Sequence, residues 1–155
     1  MPRKQLLIVA NQPSDNTRQL AARVLQGATH DDIESVDVVL RQPLETEPDD
    51  VLRCNAIIIG TTENFGYMSG LVKDFFERIY YPCLEKTQAM PYALYIRAGN
   101  DGEGTQRAVQ RIISGLRWNE VQPCLILRGD YHSDFADQCE ELGMTMAAGL
   151  DSGIY

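Results

Sequence analysis

The sequence predicts a doubly wound α/β fold, with a five-stranded parallel sheet in the order 2-1-3-4-5 and helices on both faces. Three observations support this prediction. Short aliphatic and β-branched runs alternate along the chain with longer segments of helical period. The run at 55–60 is apolar on both faces, as a central parallel strand is. The 155 residues contain no linker, repeat or low-complexity stretch, so we expect a single domain over 1–155.

The first half of the chain contains three of the five strands. A buried strand is predicted at 5–10 and is followed by an amphipathic helix at 15–26. A second strand at 34–40 and a short helix at 47–54 come next, and the third strand occupies 55–60. Because a helix separates each strand from the next, the strands are expected to pair in parallel.

The second half continues the same alternation. A helix is predicted at 69–80, followed by a strand at 92–98 and a helix at 105–116. The fifth strand is expected at 121–127. The last helix is expected to begin at Ser133, a residue type that commonly caps helices.

Composition disfavours several classes of function. The formal charge of −8 argues against nucleic acids and anionic membranes as partners. No apolar run approaches the about 20 residues that a transmembrane helix needs, and none resembles a secretory signal, so a cytoplasmic location is expected. The four cysteines lack the spacing of zinc or dithiol sites, and neither histidine has a second histidine or cysteine at metal spacing. We therefore expect no metal and mostly buried, reduced thiols.

The candidate site follows from the strand order. Ligands of such sheets bind at the carboxyl ends of the strands, where the order reverses. That crevice lies between strands one and three, which singles out the loops at 11–17, 61–69 and 98–104.

The loop at 11–17 precedes a helix N-terminus, whose unpaired N–H groups attract anions. Ser14, Asn16 and Thr17 add donors suited to a phosphate, although the same residue types also serve as plain helix caps. Asp15 opposes an anion unless its carboxylate turns outward.

The other two loops offer features suited to a flat ligand. Phe65 and Tyr67 are placed to flank a ring, and Gly66 allows backbone amides to approach its edge. The alternative is that Phe65 and Met68 only cap the core. The glycines of "AGNDGEGT" at 98–105 either lie against a planar ligand or form a plain turn. Arg97 either faces a developing anion or is a surface residue.

These loops resemble those of a known family. The stretch "GTTENFGYMSG" at 60–70, followed by "LVKDFFERI", is similar to the flavin loop of the flavodoxin-like superfamily. In its NAD(P)H:quinone oxidoreductase branch the pattern is roughly GTPTxFGNMSGxMKxFLDR. The "SDNT" at 14–17 resembles that family's TGNT phosphate loop, and the tail "LGMTMAAGLDSGIY" resembles that branch's C-terminal helix.

The resemblance implies FMN as the cofactor, with its phosphate on 12–17 and its isoalloxazine ring between residues 62–68 and 98–104. Backbone amides of 99–104, together with Arg97, are then candidates for stabilising charge on the ring. The implied cofactor-binding residues are Gln12, Ser14, Asn16, Thr17, Thr62, Glu63, Asn64, Phe65, Gly66, Tyr67, Met68, Gly99, Asn100, Asp101, Gly102 and Gly104.

Three functions follow from the resemblance. The first is an FMN-dependent oxidoreductase that takes a hydride from NAD(P)H and passes electrons to a small acceptor such as a quinone or another flavin. The second is an electron carrier that docks a protein reductase through its acidic surface. The third is a fold relative without FMN, suggested by departures from the family pattern at Asp15, Glu63, Asn64 and Tyr67. The family also implies a homodimer.

Overall fold

The computed structural model describes residues 2–155 and contains a parallel sheet with helices on both faces. The strands are β1 (Lys4–Ala10), β2 (Val36–Arg41), β3 (Ala56–Asn64), β4 (Tyr67–Met68), β5 (Pro91–Ala98), β6 (Asn119–Glu120) and β7 (Leu125–Arg128). The helices are α1 (Asp15–Ala28), α2 (Pro48–Arg53), α3 (Gly70–Cys83), α4 (Glu103–Leu116) and α5 (Ser133–Ser152). A single 3-10 turn at Pro43–Glu45 precedes α2.

The strand order confirms the predicted fold class. The sheet runs β2-β1-β3-β5, and both β6 and β7 pair with the outer side of β5. All of these pairings are parallel; Leu6 of β1, for example, lies between Val38 of β2 and Ala56 of β3. This order places the carboxyl ends of β1 and β3 side by side. The chain leaves β1 toward β2 on one side and leaves β3 toward β5 on the other, so a crevice opens between them.

The predicted fifth strand at 121–127 is wrong as one continuous element. The structure divides it into β6 and β7, each of which pairs with β5 through only a few residues. Pro123 lies in the break and has no N–H to donate to a neighbouring strand. The sheet order is unaffected because both pieces lie beside the same strand.

Two apolar layers enclose the sheet. Phe75, Phe76 and Ile79 of α3 pack with residues of α4 and one sheet face, and α1 and α5 cover the other. The contact between α1 and α5 is very close at Gly143. A Cβ atom there would lie 2.0 Å from the carbonyl oxygen of Val24. Only glycine allows the two helix backbones to approach this closely.

The helix ends differ slightly from the predictions. Ser69 is the N-cap of α3, and its side chain accepts a hydrogen bond from the N–H of Leu71. The prediction of Ser133 as the cap of α5 is wrong, because His132 takes that position and its Nδ1 accepts from Asp134 N–H at 3.1 Å. Within residues 2–155, no helix combines the length and apolar character needed to cross a bilayer.

The cysteines are unpaired, as expected. Cys54, Cys83 and Cys139 are buried, and Cys124 is partly buried. Burial raises the pKa of the Cys54 and Cys139 thiols to about 12, because a thiolate loses its hydration in the core. These thiols are therefore protonated at neutral pH and are poor nucleophiles.

Candidate functional site

The carboxyl ends of β1 and β3 bring two of the predicted loops into direct contact. Asn11 follows β1, and its N–H donates to the carbonyl of Gly60 at 2.9 Å. Its side-chain Nδ2 donates to Thr62 Oγ1 at 3.1 Å, and Thr62 in turn bonds the side-chain oxygen of Asn64 at 3.0 Å. Asn11 is buried and was not predicted as a site residue; its signal was a polar side chain directly after a buried strand.

The start of α1 is held by a reciprocal capping box. The side-chain oxygen of Ser14 accepts from the N–H of Thr17, and Thr17 Oγ1 accepts from the N–H of Ser14 at 2.9 Å. The two hydroxyl oxygens lie 3.0 Å apart. These two predicted phosphate ligands therefore also perform the capping role that was considered as their alternative.

The first turn of α1 also has backbone N–H groups that remain available to bind an anion. The N–H groups of Asp15 and Asn16 donate to no acceptor in the described part of the chain, as is usual for a first helical turn. The carboxylate of Asp15 turns outward and forms an ion pair with Arg18. Asn16 is exposed, and Gln12 is partly buried with its Nε2 3.4 Å from the carbonyl of Ala10. The arrangement suits a phosphate.

The segment predicted as the second loop is largely a β-hairpin. β3 continues to Asn64, and β4 returns antiparallel to it, with Glu63 opposite Met68 and Asn64 opposite Tyr67. Its two turn residues have positive φ, 54° at Phe65 and 71° at Gly66. Two consecutive positive φ values characterise the type I′ turn, whose twist matches that of a hairpin. The sequence pattern did not predict this extension of the strand, because residues 61–64 are all polar.

Phe65 occupies an unusual position for a phenylalanine. A left-handed conformation costs a residue with a Cβ about 1 kcal/mol or more, yet the Phe65 side chain is fully exposed and gains no burial in return. Tyr67 is 41% exposed, whereas Met68 is buried in the core. The core-capping alternative is thus correct for Met68 and wrong for Phe65.

Glu63 connects the hairpin to the third predicted loop. Its carboxylate accepts hydrogen bonds from the backbone N–H of Asn100 at 2.8 Å and from that of Gly102 at 2.9 Å. Two of the backbone donors that were predicted for a ligand ring are therefore taken by a side chain of the protein. No local pattern predicts this contact, because the partners lie 37 and 39 residues apart.

The third loop turns directly into α4. Asp101 caps this turn by accepting from the N–H of Glu103 at 3.0 Å, and Gly102 has a φ of 71°. Gly104 lies against the hairpin tip, where an added Cβ would be 2.5 Å from the carbonyl oxygen of Gly66. Gly99 has open space beside its Cα. The hairpin and the start of α4 thus pack as one wall of the candidate site.

Arg97 makes its contacts with β7 and the start of α5. Its guanidinium donates to the carbonyls of Ala98 at 2.9 Å and Leu127 at 3.1 Å. It also lies over the rings of Tyr131 and Phe135, at 5.8 and 5.1 Å from their centroids. These contacts give Arg97 a structural role that links the end of β5 to β7 and to the start of α5.

Comparison with known proteins identifies the fold. No family model matches this chain, and no curated protein matches its sequence. Among solved structures, a flavodoxin from the domain Archaea aligns with a TM-score of 0.80 and 18% identity, covering 94% of this chain and 98% of that chain.

Two further matches differ in the share of the matched chain that is covered. A flavodoxin, WrbA-like protein from Agrobacterium tumefaciens aligns with a TM-score of 0.72 and 14% identity, covering 97% of this chain and 98% of that chain. Rubredoxin oxygen:oxidoreductase from Desulfovibrio gigas aligns at 0.77 and 13% identity, covering 99% of this chain but only 37% of that larger chain. The fold is flavodoxin-like.

Proposed function

We propose that this protein binds FMN at the β1/β3 edge of the sheet and uses it in electron transfer. The observation that carries the proposal is the hydrogen bond from Asn11 to Thr62, because it joins the anion-suited start of α1 to the aromatic hairpin. The segment that would bind a phosphate group and the hairpin that would contact a flat ring therefore lie next to each other. The flavodoxin-like fold supports the same position, since ligands of such folds lie at this edge.

The phosphate would bind at the start of α1. The N–H groups of Asp15 and Asn16 are free to donate, and the hydroxyl of Ser14 and the amide of Asn16 lie beside them in the chain. The outward turn of Asp15 toward Arg18 removes the main electrostatic objection to an anion there. The residues present therefore fit a phosphate monoester.

The isoalloxazine ring would bind against the hairpin and the 99–104 turn. Phe65 and Tyr67 offer exposed aromatic surface, and the N–H groups of Gly99 and Asp101 have no acceptor within residues 2–155. The N–H groups of Asn100 and Gly102 remain with Glu63, which fixes the turn in advance of ligand binding. Preorganised donors of this kind favour a ring that carries negative charge.

When bound, FMN would supply hydride and single-electron transfer, which no side chain of the protein can perform. We propose that NAD(P)H is the reductant and that a small molecule such as a quinone or flavin is the acceptor. The hairpin motif, with its likeness to the quinone oxidoreductase loop, supports this choice. The protein's own contribution is to bind and orient the ring while leaving one side open to the second substrate.

A second function is favoured by charge. The rim of the candidate site carries Asp15, Asp101 and Glu103, all exposed, on a chain of formal charge −8. Such a surface repels a nicotinamide nucleotide and attracts a basic protein. An electron carrier that is reduced by a partner protein would use the same FMN site.

Anaerobic mixing with NADPH and with NADH distinguishes the two functions. Protein reconstituted with FMN should lose its yellow absorbance within seconds, without added reductase, if it is an oxidoreductase. Retained absorbance with both nucleotides, together with rapid bleaching by a flavodoxin reductase, would assign it as a carrier instead. Protein that remains colourless after incubation with FMN would reject both functions and favour the flavin-free relative.

A further inference from the structure

A cavity lies between α3 and α4, away from the candidate FMN site. It has a volume of about 440 Å³ and is open to solvent on one side. Its lining includes Lys73, Phe76, Glu77, Tyr80, Tyr81 and Arg111. None of these residues belongs to the candidate FMN site. The volume is within the range of about 300–1,000 Å³ that small-molecule sites occupy.

Three aromatic side chains, Phe76, Tyr80 and Tyr81, line the cavity together with three charged ones and Ile112. Phe76 is buried and belongs to the core layer beneath. Tyr80 lies so close to α4 that a Cβ at Gly115 would be 2.3 Å from its hydroxyl oxygen. Tyr80 and Tyr81 pack edge to face, with ring centroids 5.2 Å apart. Tyr81 is nonetheless 79% exposed, so a large aromatic surface is left without a partner.

Two cations border this aromatic surface. Lys73 is paired with Glu77 at 3.3 Å. Arg111 is exposed and forms no ion pair with any carboxylate in residues 2–155. An unpaired guanidinium beside aromatic rings contrasts with the acidic character of the chain as a whole. Guanidinium groups bind carboxylates through two parallel hydrogen bonds, which gives them geometric selectivity.

We propose that this cavity binds a small planar aromatic carboxylate. The ring would lie against Tyr81 and Tyr80 above Phe76, and the carboxylate would pair with Arg111. The guanidinium of Arg111 favours an anionic ligand, and a volume of about 440 Å³ favours a small molecule over a second copy of this chain. The proposal does not depend on FMN binding.

The test uses 2-naphthoate as the probe and its neutral analogue 2-naphthalenemethanol as the comparison. Titration of the full chain is followed by amide chemical-shift changes in α3 and α4. The naphthoate should bind with shifts at Tyr81 and Arg111, and Arg111→Gln should raise its dissociation constant about fivefold. Tyr81→Ala should raise it about threefold. Arg107→Gln, which changes an exposed arginine one turn away on the same helix, should leave it unchanged.

Several outcomes would overturn the proposal. Equal binding of the neutral analogue, or no effect of Arg111→Gln, would show that charge recognition is absent. A concentration-dependent dimer that Tyr81→Ala dissociates, in sedimentation velocity, would identify a second copy as the occupant. Displacement of naphthoate by FMN would mean that the two sites are one. Retained naphthoate binding in a protein that fails to bind FMN would support this cavity and reject only the proposed function.

Discussion

The carboxylate of Glu63 accepts a hydrogen bond from the backbone N–H of Asn100 at 2.8 Å, across 37 residues of sequence. A second bond, from the N–H of Gly102, completes the link between the hairpin and the turn before α4. The link joins two of the three loops predicted to form the site. It makes the shape of the 99–102 turn depend on a single side chain.

Replacing this carboxylate should loosen the turn. We expect Glu63→Gln to lower the free energy of unfolding by about 1 kcal/mol, because the carboxylate accepts one bond on each oxygen, whereas an amide has only one oxygen to accept and turns an NH2 donor toward the other N–H. The Asn100 and Gly102 amides should exchange with solvent about fivefold faster in NMR hydrogen-exchange measurements. Glu141→Gln, an exposed change on α5, should alter neither quantity; unchanged exchange in Glu63→Gln would show that the turn holds its shape without the link.

The proposed phosphate position at the start of α1 can be tested with one nearly isosteric substitution. Asn16→Asp places a negative charge at the proposed phosphate position, and we expect it to weaken FMN binding at least tenfold, or about 1.4 kcal/mol. An acidic residue in the first turn of a helix is favourable, so stability should stay within about 0.5 kcal/mol of wild type. Thr17 is unsuitable for this test because its hydroxyl also closes the capping box. Undiminished FMN affinity would place the phosphate elsewhere.

Because α1 and α5 are in close contact, adding one methyl group at Gly143 should lower stability strongly. Gly143→Ala should destabilise the protein by about 2–3 kcal/mol in denaturant unfolding, because the new Cβ would overlap the carbonyl of Val24. Gly70→Ala provides a matched control at a helical glycine with nothing within 4 Å of the added atom. That variant should remain within about 0.5 kcal/mol of wild type. Equal stability of the two variants would contradict the described helix packing.

One carboxylate predicts a pH-dependent contribution to stability. Hydrogen bonds from the side chain and N–H of Ser35 lower the pKa of Asp151 below its ordinary value of 3.8. A lowered pKa stabilises the fold above pH 3.8, and this contribution disappears as the pH falls through the lowered value. Asp151→Asn should therefore melt at a lower temperature than wild type at pH 7, with the difference vanishing in strong acid. Asp130→Asn, at an exposed residue, should melt like wild type at both pH values.

The sequence predicted the alternating strands and helices because their periodicities are local patterns, and the order 2-1-3-4-5 is a common one for doubly wound sheets built from such an alternation. The prediction of a continuous strand at 121–127 overlooked Pro123, whose lack of an N–H was the local signal for an interruption. The hairpin at 61–68 was harder to predict, because its polar residues lack the apolar alternation of a half-buried strand. The Glu63 link and the position of Arg97 depend on tertiary proximity, which no local pattern encodes.

The most direct test of the central claim is a fluorescence titration of FMN with the purified apoprotein under anaerobic, low-salt conditions. We predict saturable quenching with one FMN bound per chain and a dissociation constant in the micromolar range or below, with at least tenfold weaker binding by Asn16→Asp. Folded wild-type protein that leaves FMN fluorescence unchanged throughout the titration would contradict the proposed function.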